Sequence, residues 1–326
     1  ERRHIAPRPH EGIGGVLPGL AAGLPLRLPD PDWDNIKLKA SSKSLRPEAA
    51  PLYQQKLVVK YASARWPTTR SSYSEAGPGV WHFTSGTTRL PRPHFRPITA
   101  LNRMVARVKR QLPDDIASGK PVSLCIVPVY HGYGLINALL LPHALGGTVL
   151  CADASTPEAM QQHLLEAEMF YGWPLHYCAL VENPGNKWKR RNKLKWSVSS
   201  SFYLEPAVAR RFAHLYGCPV RQQYGLTETG PLCLDSAPVP IDIPACVGKP
   251  LDGIELCVLD NQGRRLNSDK RGRLAVRVAH ESISGLQHAG EGFFDTGDIG
   301  MCDDEGRVFV YRRGQAFHDE RKELYL

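Results

Sequence analysis

Val80-Trp81-His82-Phe83-Thr84-Ser85-Gly86-Thr87-Thr88 runs a short β-like stretch straight into a loop of small hydroxyl residues around a glycine. In such a loop, backbone N–H groups and side-chain hydroxyls can close around phosphate oxygens, and Arg89, Arg92 and Arg96 follow to add charge. The same composition suits a plain Ser/Thr-rich turn, so this stretch alone leaves both readings open. Downstream, a helix is expected near Thr99–Gln111 and an apolar strand over Ser123–Tyr130. The pattern continues through Leu135–Leu145, a strand at Gly147–Cys151, helices around Pro157–Ala167 and Glu205–Tyr216, and the strand-like Val220–Tyr224. Strands alternating with helices argue for an α/β layered sheet.

After Pro238 the texture changes. Ile254–Leu259 and Arg273–Val278 read as strands flanking the turn Asp260–Arg264, and Arg307–Arg312 reads as another, which predicts a small antiparallel β unit. The expected fold class is therefore α/β, with layered α/β subdomains and a small antiparallel β subdomain. Residues 1–79 form a partly irregular N-terminal segment in this reading, 80–237 the α/β core, 238–313 the β-rich part and 314–326 a short remnant.

With 326 residues, 42% hydrophobic and 22% charged, the chain can bury a sizeable core. A net charge of +9 suits anionic partners such as nucleotides, phosphopantetheine or acidic proteins. The eight cysteines are scattered singly, without a C-x-x-C pair or metal-ligand spacing to His, and are expected to be reduced and largely buried. Arg2 and Arg3 precede an apolar run that imitates a leader, but Pro18 and Pro25 interrupt it, so a surface segment is expected there. No run is long and apolar enough to span a bilayer, and the expectation is a soluble, cytoplasmic protein without membrane partners.

Two further segments carry chemistry. In Gln222-Gln223-Tyr224-Gly225-Leu226-Thr227-Glu228-Thr229, a hydroxyl beside a carboxylate follows a strand and could hold a phosphate oxygen together with Mg²⁺, although a lone loop acid is as often merely solvated. In Phe294-Asp295-Thr296-Gly297-Asp298, Asp298 could accept hydrogen bonds from vicinal ribose hydroxyls, while T-G-D by itself is also a common turn. These segments and the hydroxyl-rich loop occur in one order, with Val247–Gly253 and Gly272–Arg277 between the last two.

In their number and order these motifs resemble the adenylate-forming superfamily of acyl-CoA synthetases, aryl-CoA ligases, peptide-synthetase adenylation domains and luciferases, over roughly Val80 to Arg313. The resemblance implies that Thr84, Ser85, Gly86, Thr87 and Thr88 embrace the ATP phosphates, with Arg92 where a lysine is usual. Thr227 would touch the α-phosphate, Glu228 the Mg²⁺, and Asp298 and Arg313 the ribose. Ser200, Ser201 and Phe202, within Ser199–Tyr203, would form the adenine loop, with Tyr224 and the adjoining Gly225 across the base. His131, in Val129–Gly134, resembles the residue beside the substrate carboxylate, and a helix-capping histidine is its plainer reading.

The implied cofactors are ATP and Mg²⁺, with CoA or the phosphopantetheine of an acyl carrier protein as acceptor. Val127–Leu135 offers no acid to pair with an α-amine, which favours a carboxylic acid without one. Arg89, Arg273 and Arg312 depart from the family's usual Gly, Glu and Gly, and the small domain bearing the catalytic lysine is not within these residues, so they are expected to bind substrates but to form adenylate slowly. Two rival readings stand beside this one: a catalytically degenerate nucleotide-binding scaffold, and a nucleic-acid binder suggested by Lys187–Trp196, where aromatics interleave with bases.

Overall fold

Leu124-Cys125, Val149-Leu150 and Met169-Phe170-Tyr171 have no polar face to turn to water, which suits parallel strands covered on both sides. The computed structural model describes residues 79–83, 93–152, 156–184, 193–237, 243–279, 283 and 286–313. Two strands, β1 (Gly79–Phe83) and β2 (Pro93–Pro97), form an antiparallel pair with Phe83 opposite Pro93. The main sheet has seven strands: β3 (Val122–Cys125), β4 (Thr148–Cys151), β5 (Met169–Gly172), β6 (Trp196–Ser200), β7 (Val220–Leu226), β8 (Gly230–Leu234) and β9 (Lys249–Pro250). Their order is β4-β3-β5-β6-β7-β8-β9; the first five are parallel, and β8 and β9 run antiparallel to their neighbours.

Alternate side chains serve opposite faces, as the two-residue period requires. Leu124, Leu150 and Phe170 enter one core with the helices Pro157–Leu164, Pro174–Glu182 and Pro206–Tyr216, where the Phe212 ring stacks 4.4 Å from that of Tyr216 and meets Tyr177 edge-on at 5.0 Å. Cys125, Val149, Met169, Tyr171, Trp196 and Val198 face the other core, shared with the helix Ile98–Lys109 and the π-helix Gly134–Leu140. Ile98–Lys109 buries Leu101, Met104, Val105 and Val108, the i, i+3, i+4, i+7 stripe of an amphipathic helix, and ends on Arg107 and Lys109 as the helix dipole favours.

The second sheet is antiparallel, with β10 (Ile254–Leu259), β11 (Gly272–Val278), β13 (Phe293–Cys302) and β12 (Gln287–Gly290) in that order and β14 (Val308–Arg313) also on β13. Ile254, Val258, Leu274 and Val276 join the core beneath the first sheet, so one hydrophobic interior underlies both. The expected turn at Asp260 is present: its Oδ1 accepts the N–H groups of Gln262 and Arg264 at 2.8 and 2.9 Å. No helix among the described residues is long and apolar enough to cross a membrane.

Three expectations shift. The strand expected over Ser123–Tyr130 ends at Cys125: Pro128 cannot donate to a ladder, and its carbonyl instead takes the His131 N–H at 3.0 Å. Gly134 sits so close to that turn that a Cβ would lie 2.4 Å from the Pro128 oxygen. Phe294–Asp298 lies inside β13 rather than in a free turn, with Gly297 at φ 77° in the left-handed region and the Asp295 and Thr296 side chains accepting the N–H groups of Gly297 and Asp298. Finally, β6 is a strand made largely of serine, tolerated because the Ser200 hydroxyl donates to Gln223 O at 2.8 Å and that of Ser197 meets Tyr177 Oη at 3.0 Å.

Phe212→Ala, which removes a fully buried ring from this aromatic stack, is expected to cost about 3–5 kcal/mol, whereas Phe202→Ala at an exposed position should stay within about 0.5 kcal/mol. Urea denaturation of the two variants against the parent checks the contrast.

Candidate active site

In an open parallel sheet, the crevice for a ligand lies beyond the carboxyl ends of the strands, where the strand order reverses. Here the chain steps from β3 outward to β4 and then back to β5 on the other side, so the reversal falls between β3 and β5. The segment leaving β3 brings His131 there, and the one leaving β5 brings Trp173. Their rings meet edge to face at 5.8 Å, and Trp173 stacks on His176 at 5.7 Å. Burial lowers the pKa of the half-buried His131, and its Nδ1 meets no hydrogen-bond partner among the described residues. A buried nitrogen of that kind suits a ligand atom.

His82 on β1 stands in the same neighbourhood. Burial pushes it down to about 4, with Arg96, His94 and His131 adding to the effect; His94 is also pushed down to about 4, by burial first and then Arg96. Neither the β1–β2 imidazoles nor Trp173 and His176 was singled out from sequence. Histidines spread over three segments carry no local signature, although His82 lies within the opening motif itself.

Arg96, expected to lend charge to the hydroxyl-rich loop, is buried on β2, donates through Nη2 to the Thr227 carbonyl, and has Nη1 3.5 Å from Met104 Sδ. It thereby ties the β1–β2 pair to the turn Thr227–Thr229 between β7 and β8. Residues 84–92 connect the paired ends of that hairpin, so Thr84, Ser85, Gly86, Thr87, Thr88 and Arg92 lie outside the described residues. Glu228 is half-buried at the turn, and Gly225 just before it is exposed. A single carboxylate fits a Mg²⁺ ion shared with phosphate oxygens, since that ion is commonly held by one or two carboxylates plus phosphate.

From Tyr224 the contacts run on through the remaining motif residues. Its buried hydroxyl donates to Asp298 Oδ2 at 2.6 Å, and β14 sets Arg313 opposite Asp298 in register. On the other side of β7, Ser200 pairs with Gln223, so the loop Ser201-Phe202 leaves the sheet beside Tyr224. Ser201 takes φ 77°, unusual for a residue with a Cβ, and Phe202 is 70% exposed. The His131 segment is tied in as well, through Tyr133 Oη to Val198 O at 2.7 Å and Gln223 Nε2 to Asn137 Oδ1 at 3.3 Å. Arg273, at a departure from the resembled pattern, pairs with Asp295 of the T-G-D segment.

Residues 32–281 match the profile of the family described as "AMP-binding enzyme". The chain belongs to this family. It is 27% identical over 245 residues to the oxalate–CoA ligase of Arabidopsis thaliana, covering 71% of this chain and 47% of the relative. It is 28% identical over 260 residues to the long-chain-fatty-acid–CoA ligase of Thermus thermophilus, covering 71% and 46%. The chain thus spans about half the length of the curated relatives it matches. The ATP-bound MatB of Rhodopseudomonas palustris shares the fold, with a TM-score of 0.62 at 24% identity over 72% of this chain and 47% of that one. The fold is accordingly that of the N-terminal part of adenylate-forming enzymes.

The basic run proposed for nucleic acid is described only at its end, where Lys195 pairs with Asp115 and Glu168 at 3.4 and 3.3 Å and Trp196 is buried beneath Arg221. Those two residues form part of the interior and its cover, not a stacking platform.

The buried histidines set an acid limit. The folded forms of His82, His94 and His176 stay neutral to about 4, while the unfolded chain takes up protons from the ordinary value of 6.5. The unfolded state therefore binds more protons between those values, and stability present above 6.5 is lost as pH falls toward 4, by up to about 1.4 kcal/mol per pH unit for each histidine. His176 Nδ1 must stay unprotonated to accept the Trp173 N–H at 3.0 Å. His176→Gln, which keeps an acceptor, is expected to remove roughly a third of that slope, read from urea midpoints between pH 7 and 4.5.

Proposed function

We propose that this chain is the nucleotide- and acid-binding part of an acid–thiol ligase that activates a carboxylic acid without an α-amine as its acyl-adenylate. The observation that carries the reading is the contact of Tyr224 with Asp298, two residues from motifs 74 positions apart. Membership of the AMP-binding family and the CoA-ligase names of the relatives support it further.

In this reading Tyr224, Gly225 and the loop Ser200–Phe202 hold the base, Asp298 and Arg313 the ribose, and the loop Thr84–Thr88 with Arg92 the phosphates. Thr227 positions the α-phosphate, and His131 orients the incoming carboxylate. ATP supplies the phosphorus that the carboxylate oxygen attacks, with pyrophosphate leaving; Glu228 would hold a Mg²⁺ ion, which would offset the charge. The thiol of CoA, or of a carrier protein's phosphopantetheine arm, then takes the acyl group and releases AMP. The chain's own contribution is positioning: Arg96 fixes the Thr227 turn against the hairpin, and the site histidines stay neutral toward the anions.

ATP–pyrophosphate exchange by the full-length protein, with a panel of fatty, aryl and dicarboxylic acids and with amino acids as controls, tests the reading. Exchange is expected with at least one acid of the first group and with none of the controls. Mg-ATP binding without exchange would favour a nucleotide-binding scaffold, and loss of both would overturn the assignment. Glu228→Gln is expected to weaken Mg-ATP binding by roughly tenfold, about 1.4 kcal/mol, and to leave metal-free ATP binding unchanged. Equal Mg-ATP affinity by calorimetry would remove Glu228 from the metal site.

A further inference from the structure

Cys125 and Cys151 end neighbouring parallel strands at one level, paired with each other in the register of β3 and β4. Register partners on adjacent strands point to the same face, and a strand spacing of about 4.7–4.9 Å falls within the Cα separation of about 4.4–6.8 Å that a disulfide accepts. The Ala152 N–H donates to Cys125 O at 3.3 Å, so the two strands are still paired at this level.

The two thiols differ in setting. Cys125 is buried in the core, whereas Cys151 is exposed. The Cys125 thiol donates to Val127 O at 3.5 Å; the neighbouring Cys151 and burial push it up, while Cys125 beside it lowers Cys151. The other six cysteines are pushed up, all chiefly by burial. Cys151 is therefore the exposed and the more acidic thiol of the pair, the two features that favour oxidation, and a second sulfur stands beside it. The site described above uses neither residue.

We propose that Cys125 and Cys151 form a redox-active dithiol, with Cys151 as the sulfur attacked by hydroperoxides and Cys125 as the resolving thiol. The Cys151 thiolate attacks one oxygen of hydrogen peroxide; the S–O bond forms, the O–O bond breaks, and hydroxide leaves to be protonated to water. Cys125 then attacks that sulfenic sulfur; the S–S bond forms, the S–O bond breaks, and its thiol proton leaves with the oxygen in a second water. Two thiols lose two electrons in all, and one peroxide becomes two waters. A dithiol reductant reverses the bond. The cross-link ties β3 to β4 just where the chain departs toward His131.

The experiment treats the reduced full chain with equimolar hydrogen peroxide, blocks free thiols with N-ethylmaleimide and maps peptides by mass spectrometry without reduction. A Cys125–Cys151 cross-linked peptide that disappears with dithiothreitol is expected. In Cys125→Ser, dimedone should label Cys151, and in Cys151→Ser peroxide consumption should fall by about tenfold or more. A parent chain that leaves both cysteines alkylated, or that joins Cys151 to a different cysteine, would overturn the proposal. Undiminished peroxide consumption in Cys151→Ser would do the same. The mapping on the parent chain needs no variant to fold, and the exposed Cys151→Ser is checked by circular dichroism. Neither outcome depends on ATP chemistry, so the ligase reading stands or falls separately.

Discussion

The hydrogen bond from Tyr224 to Asp298 joins the two sheets through side chains of two separate motifs. Tyr224 comes from the last parallel strand, and Asp298 from the longest strand of the antiparallel sheet. Burial of both partners makes the bond strong and its loss costly, because a buried carboxylate that loses a donor keeps its desolvation penalty. The tyrosine's own proton is held tightly, since burial and then the neighbouring carboxylate raise its pKa well above the ordinary value. The loop after β6 lies on one side of this joint and β14 on the other, with the Thr227 turn three residues along.

Arg96 plays the corresponding part for the opposite wall. A guanidinium buried on a two-stranded hairpin needs acceptors, and the Thr227 carbonyl is one that a turn leaves available. Burial first, and then this cation, hold the pKa values of His82 and His94 down to about 4. That wall therefore carries its positive charge on a guanidinium and not on its imidazoles.

How far the sequence could be read follows from the range of each interaction. Pro157 and Pro206 open their helices as local rules require, and the strand over Val220–Tyr224 does run into the Thr227-Glu228 turn. The order of the motifs was enough to name the superfamily. Hidden from local reading were β6, whose serines read as loop until Tyr177 and Gln223 supply partners, and the T-G-D segment, whose turn chemistry is folded into a strand. Arg96 and Thr227 are 131 residues apart, and no periodicity reports such a pair. The histidines around His131 come together only once β1, β3 and β5 are aligned.

The main sheet ends, on the side of the antiparallel strands, in the two residues Lys249 and Pro250. An edge strand normally offers a row of free N–H and C=O groups onto which another chain can crystallise as one more strand. Here the outermost strand is too short to template such growth, one of its residues has no N–H to give, and the other carries a charge. The sheet is thereby capped against self-association along that edge, a protection that matters most while the non-local parallel strands are still assembling.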